Sequence, residues 1–217
     1  MTNEDYEKIF HEIKNNITFI SSSLQLIEKG HPEIKSFPYW QDSMQEITAL
    51  KNMLMELSTA RLCNDLTLQK VSPEIFFPEL IHSCIKLFKS DNFSFQLELA
   101  PCLPEIYIDP HKFKRSLFNL IKNSFEAMDG SGELLFHCCQ KDGRLHLDLI
   151  DFGGGMAPEY LPNLFTPFET TKPNGTGLGL LIARQIIESH NGSLTVESRA
   201  NDGCTFHICL PCIETTV

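Results

Sequence analysis

The 217 residues hold no apolar run near the eighteen or so needed to span a bilayer, and the first ten, MTNEDYEKIF, have neither the basic nor the apolar stretch of a leader. A cytoplasmic chain without a membrane partner is the expectation. Basic residues are scarce: 18 Lys and Arg stand against 28 Asp and Glu, for a net charge of −10. No basic stripe is present, which excludes nucleic acid as the main partner, because phosphate-backbone binding depends on clustered cations. Cys209-x-x-Cys212 has no second C-x-x-C or C-x-x-H to complete a tetrahedral metal site. Without a secretory signal, the eight cysteines are expected as reduced, small hydrophobes. There are no internal repeats and no low-complexity tracts. Asp151-Phe-Gly is not accompanied by an HRD loop, and the glycine-rich element follows it where a Ser/Thr/Tyr protein kinase has it before. Gly175-Thr-Gly-Leu-Gly179 lacks the third glycine of a dinucleotide fingerprint and follows a proline-containing loop, not a strand.

What is present is ordinary in bulk and unusual in distribution. Hydrophobic residues make up 42% and charged residues 21%, which with this length allows one or two globular domains. Six of the twelve glycines fall within residues 153–179. Two glycine clusters about two dozen residues apart read as the hinges of a lid over a phosphate-bearing ligand, since glycine serves where backbone must approach a ligand closely.

The N-terminal third reads as helix. Thr2 and Asp5 fit a capping box, and Tyr6, Phe10, Ile13, Ile17, Ile20, Leu24 and Ile27 recur in alternating steps of four and three, a heptad seam. Gly30 ends that helix, Pro32 to Pro38 connect, and a second helical run carries Met44, Ile47, Leu50, Leu54 and Leu57. Two such helices make an antiparallel hairpin that cannot bury its own stripe, so a homodimer closing a four-helix bundle is expected. From about Val71 the pattern changes. Strands are expected at 93–100, 133–139, 144–151, 193–198 and 205–210, and helices near 77–89, 110–128 and 178–190. The fold class is thus α+β: a helical hairpin over residues 1–69, then an α/β sandwich over 70–217, a mixed sheet with helices on one face. The connector near 66–73 is the expected hinge.

Two clusters can carry chemistry. Phe10 and Ile13 are seam positions, so His11 and Asn15 lie one turn apart on the outward face, with Glu12 beside them. An imidazole nitrogen attacks phosphoryl groups well, and a neighbouring carboxylate can take its N–H proton or hold its tautomer. Asn119 and Asn123, at i and i+4 on the helix 110–128, project two amides to one side, an oxygen donor set suited to Mg²⁺.

Together these segments resemble the cytoplasmic core of the sensor histidine kinases of two-component systems. HEIKN resembles the phosphoacceptor box, NLIKNSFEAM the Asn box, DFGGGM the first Gly box, and LFTPFETTKPNGTGLGL the lid with the second Gly box. Gly203-Cys-Thr-Phe206 resembles the terminal segment of that fold, so the match covers nearly the whole chain in order. The resemblance implies ATP and Mg²⁺ as cofactors. It assigns Asp151 to the adenine amino group and Gly153 and Gly155 to the turn that approaches the base. Asn119 and Asn123 would handle Mg²⁺ and the phosphates. Gly175, Thr176, Gly177, Leu178 and Gly179 would form the lid's return, with Lys172 as a phosphate contact. His11 would be phosphorylated and pass the group to an aspartate of a response-regulator receiver domain. Asn15 would serve dephosphorylation of that regulator, a phosphatase activity.

The chain departs from the family pattern at Asn16, where many relatives have proline, and at Cys204. No sensor segment precedes His11, so an upstream sensor protein is an expected partner of a stand-alone kinase, and an excised core is the other reading. The competing functional reading is a non-catalytic phosphotransferase or scaffold dimer with a degenerate ATP domain. It would require loss of Asp151, Asn123 or the Gly boxes. An ATPase of the gyrase and mismatch-repair type would share the Asn and Gly boxes without a heptad-mounted His-Glu pair.

Overall fold

The computed structural model describes residues 3–61, 65–170, 172 and 175–213, with side chains described from 12 to 54 and from 65 onward within those ranges. The chain forms two compact units, one of Met1–Thr59 with Thr170–Thr176, the other of Ala60–Glu169 with Gly177–Val217.

In the first unit, α1 (Asn3–Gly30) runs into a single 3-10 turn (Pro32–Ser36) and then α2 (Trp40–Arg61). Glu28 ties this corner together. Its carboxylate meets the Lys35 ammonium at 2.9 Å and accepts from Trp40 Nε1 at 3.1 Å, and these two partners lower its pKa. Tyr39 takes a left-handed φ of 66° immediately before α2 starts. The expected seam remains uncovered. Among the described side chains of the two helices only Ser21 and Leu54 are buried, whereas Ile13, Ile20 and Ile27 are each more than two-fifths exposed.

The second unit is built on a five-stranded mixed sheet in the order β2 (Phe93–Leu99), β4 (Gly132–Lys141), β5 (Arg144–Asp151), β7 (Cys204–Pro211), β6 (Ser193–Ser198). Only β2 and β4 are parallel. β4 and β5 form a hairpin in which Lys141 pairs with Arg144 across the Asp142-Gly143 turn, as the sequence predicts. The strand patterns alternate because one face is covered. Leu134, Phe136 and Cys138, then Leu145, Leu147 and Leu149, then Phe206, Ile208 and Leu210 point inward to a single core. Over them lie α3 (Pro73–Phe88), α4 (Pro110–Ala127) and α5 (Gly179–Ser189), which contribute Phe77, Leu80, Phe113, Leu117, Leu120, Ala183 and Ile187. α3 begins four residues before the expected 77, because Pro73 occupies its first turn, where a missing N–H costs nothing. Cys209 faces outward, accepting from Arg144 Nε at 2.9 Å, while Cys212 packs against the core, so the C-x-x-C pair is split between two faces. Among the described residues every cysteine is free.

A two-stranded ladder of β1 (Gln69–Val71) and β3 (Ile106–Ile108) was not legible in the sequence, since strands of three residues carry no periodicity. It bears on the connector. Asp109 caps α4 by accepting from the backbone N–H groups of His111 and Lys112, both at 3.1 Å, and its second oxygen accepts from Thr67 N at 3.1 Å. Lys112 Nζ donates to the Asp65 carbonyl. The stretch from Asp65 through Val71, expected as part of a hinge at 66–73, is therefore bonded into the second unit. Behind Asp109, buried His190 accepts from Asp109 N through Nε2 at 2.9 Å while its Nδ1–H donates to Ile186 O at 2.7 Å. Burial lowers the His190 pKa, which fits a neutral ring. Burial by itself would raise the Asp109 pKa, but the hydrogen bonds from Lys112, Thr67 and His111 with the Lys112 charge lower it on balance.

Candidate functional site

The polar centre of the second unit lies where the C-terminal end of β5 meets α4. Asp151 is the last residue of β5, and strand alternation turns its side chain inward, where it is 2% exposed. A buried carboxylate requires donors. Oδ1 accepts from Gly153 N at 3.2 Å and from Cys204 N at 3.1 Å, and Oδ2 accepts from the Ser124 hydroxyl at 2.8 Å. Three segments distant in sequence therefore converge on one carboxylate. The Cys204 thiol beside it is pushed up to about 12 by burial and by the Asp151 charge, so it stays neutral.

The loop after Asp151 leaves the sheet through Gly155, which has φ 64° and lies where a Cβ would come within 1.9 Å of the Arg199 carbonyl oxygen. Only glycine fits there. The turn is held further by Met156 N donating to Ser198 Oγ at 2.8 Å and Ser198 Oγ donating to Gly203 O at 2.8 Å. The second glycine cluster behaves in the same way. Gly177 has φ 67°, its carbonyl accepts from Phe168 N at 3.2 Å, and a Cβ there would lie 2.5 Å from the Phe168 carbonyl carbon. This closes the base of the intervening loop just ahead of α5. Phe165 is held against α5 by the Arg184 guanidinium, 4.9 Å above its ring.

Asn119 and Asn123 are both half-buried on α4. Asn119 Nδ2 donates to Gly179 O at 3.0 Å, so α4 holds the first turn of α5, and the amide oxygen is the end that remains for a cation. Leu178, the N-cap of α5, has no side-chain oxygen to cap the helix, and a helix start is where backbone N–H groups can meet an anion. Among the described residues no three His, Cys, Asp or Glu side chains gather around a point. A donor set of amide oxygens suits Mg²⁺, which keeps water and phosphate oxygens in its shell and needs few protein ligands. The residues present fit that ion.

Of the positions expected from the sequence, Asn119, Asn123, Asp151, Gly153, Gly155, Gly177, Leu178 and Gly179 fall in the second unit. Lys172, Gly175 and Thr176 fall in the segment that belongs to the first unit, where Lys172 N donates to Thr170 Oγ1 at 3.1 Å and Gly175 N to Lys172 O at 3.1 Å. Glu12 and Asn15 are exposed on α1. His11 lies in α1 as well, and its side chain lies outside the described residues. Sequence reasoning missed Ser124, Ser198 and the Cys204 N–H. Ser124 carried a signal, because it sits four residues beyond Leu120 on the core face of α4, where a hydroxyl must find a buried partner.

Residues 108–214 match the family model described as histidine kinase-, DNA gyrase B-, and HSP90-like ATPase. Sporulation kinase E of Bacillus subtilis is 31% identical over 94% of this chain and 28% of its own length, and sporulation kinase C of the same organism is 31% identical over 97% and 49%. The sensor histidine kinase ZraS of Escherichia coli is 29% identical over 94% and 44%. The chain thus spans less than half the length of these curated relatives. Among solved structures, full-length ShkA in complex with AMPPNP has the same fold, with a TM-score of 0.79 over 98% of this chain and 46% of that one at 19% identity. The catalytic domain of the histidine kinase ThkA, 27% identical, gives a TM-score of 0.58 over 67% of this chain and 95% of that one. Among the described residues no helix is long and apolar enough to cross a membrane.

Proposed function

The chain belongs among the sensor histidine kinases, with residues 108–214 as its histidine kinase-, gyrase B- and HSP90-like ATPase domain, and from that premise we propose that it is an ATP-dependent protein histidine kinase that phosphorylates its own His11. The observation that carries this reading is the buried Asp151 carboxylate, gripped by three donors at the mouth of a glycine-lined turn and facing the asparagine helix. A carboxylate accepts only, so it favours a base that presents a donor to it, as the 6-amino group of adenine does.

With the base at Asp151, the polyphosphate of ATP would be received at the start of α5 by backbone N–H groups. Asn123 and Asn119 would hold Mg²⁺, which would supply neutralisation of the phosphate charge. The loop between Gly155 and Gly177 excludes water. On α1, a neutral ring nitrogen of His11 attacks the γ-phosphorus, the bond to the β,γ-bridging oxygen breaks with its electron pair leaving on ADP, and the ring N–H proton passes to Glu12. Positioning dominates such a transfer.

Two further roles belong to the same reading. The half-exposed seam of Ile13, Ile20 and Ile27 is covered by a second copy, making the homodimeric four-helix bundle. The phosphoryl group of His11 passes to an aspartate of a response-regulator receiver domain, and Asn15, one turn on and exposed, positions water for its later hydrolysis. The domain boundary then lies ahead of Asp65, where the chain becomes fastened to the catalytic unit. Transfer is tested by adding receiver domains with Mg²⁺ to the chain labelled from [γ-³²P]ATP. Label should move to one receiver as a base-labile acyl phosphate, and retention of all label on the kinase would overturn the transfer step.

A further inference from the structure

Two serines are completely buried on the core face of α4, Ser116 and Ser124, and they dispose of their hydroxyls differently. Ser116 Oγ bonds locally to Phe113 O at 2.8 Å, the usual way a helical serine satisfies itself. Ser124 Oγ instead crosses to β5 and donates to Asp151 Oδ2 at 2.8 Å, a partner 27 positions away.

That bond changes what Asp151 can do. The last torsion of an aspartate is soft and roughly two-fold, so a carboxylate pinned through one oxygen can pivot. Gly153 N and Cys204 N both bind Oδ1 and fix only that end. Ser124 fixes the other end, and with both oxygens engaged the carboxylate plane is set. The Ser124 hydroxyl has one proton and spends it on Oδ2, which keeps that side of the pocket accepting. Neither sequence motif nor family comparison assigns Ser124 a role.

We propose that Ser124 is the positioning residue that makes Asp151 discriminate for a purine bearing a 6-amino donor, and so sets the preference of this site for adenine over 6-oxopurine nucleotides. This rests on the reading of Asp151 as the base-recognising group. Ser124 touches no part of the nucleotide and acts through Asp151 alone. Its contribution therefore exists only when the base offers a donor to that carboxylate. Inosine triphosphate retains the ribose and triphosphate of ATP but has an acceptor oxygen at C6 in place of the 6-amino donor, its N1–H lying one ring position away.

The test is equilibrium binding of ATP and ITP, with Mg²⁺, to the full chain and to Ser124→Ala, Asp151→Asn and the double variant, each checked for its melting temperature. Ser124→Ala should weaken ATP about tenfold, the worth of one hydrogen bond on a charged group, and leave ITP within twofold, so that the ATP:ITP selectivity falls. In the Asp151→Asn background the same substitution should cost no further ATP affinity. Equal weakening of ATP and ITP, a full additional loss in the Asp151→Asn background, or unchanged ATP affinity would each overturn the positioning role. If the unaltered chain binds neither nucleotide, or if Asp151→Asn leaves ATP binding intact, the base-recognition reading itself fails, a result distinct from all of these.

Discussion

Replacing Asp151 by asparagine should separate nucleotide binding from folding. The carboxylate is buried and takes two backbone N–H groups on one oxygen and a hydroxyl on the other. An asparagine carbonyl placed at Oδ1 keeps both backbone bonds, and its NH₂ at the other end can donate to Ser124, whose hydroxyl turns to accept. The fold thus loses charge and little else. Nucleotide binding loses more, because an N–H donor now confronts the donor on adenine and a charge-assisted bond worth about 1.5–3 kcal/mol disappears. The expected rise in ATP dissociation constant is roughly 10- to 150-fold, with a melting temperature close to that of the unaltered chain. Alanine at the same position strands three buried donors at about 1–3 kcal/mol each, so it should unfold the second unit or lower its melting temperature by many degrees. Calorimetric titration with ATP and a thermal melt on both variants check this. An asparagine variant that binds ATP within twofold, or one that melts as early as the alanine variant, would refute the reasoning.

Three other outcomes follow from the geometry. Gly155→Ala meets a positive φ costing about 1–2 kcal/mol and an overlap with the Arg199 carbonyl that forces a backbone shift of about 1–3 kcal/mol; urea unfolding should report a loss of roughly 2–5 kcal/mol, and unchanged stability would contradict the turn described. His190 has a lowered pKa in the folded chain, so protons bind preferentially to the unfolded state: its contribution is present above the unfolded value near 6.5 and is lost as pH falls below it. Asp109, also lowered, adds a second loss only as pH falls below the ordinary Asp range, so melting temperature should drop between pH 7.5 and 5.5 and drop less in His190→Gln. Ile20→Lys places a charge on the uncovered seam of α1 and should convert a dimer to a monomer in light scattering, and a variant that stays dimeric would remove the seam from the interface.

The legible parts of this protein were those with a period. The heptad of α1, the alternation in β4, β5 and β7 and the short Asp142-Gly143 turn repeat often enough to declare helix, strand and hairpin. The glycine clusters and the α4 asparagines could be placed because backbone at a phosphate site has few solutions. What escaped was held by single long-range bonds. β1 and β3 exist because Gln69–Val71 pairs with Ile106–Ile108, and nothing local in either triplet requires it. The anchoring of the connector depends on Asp109 reaching Thr67, 42 residues away, and the grip on Asp151 depends on the Ser124 hydroxyl and the Cys204 N–H, bonds that no local pattern in the sequence announces. A buried serine on an apolar helix face was the one available clue.

The central claim is that the ATP site serves His11, and labelling tests it most directly. The full chain is incubated with Mg²⁺ and [γ-³²P]ATP beside His11→Gln and Asp151→Asn variants, and the protein-bound label is challenged with acid and with alkali. The account predicts label on the unaltered chain that survives alkali and is lost in acid, as phosphohistidine is, none on His11→Gln although that variant still binds ATP, and little on Asp151→Asn. Undiminished labelling of His11→Gln would contradict it.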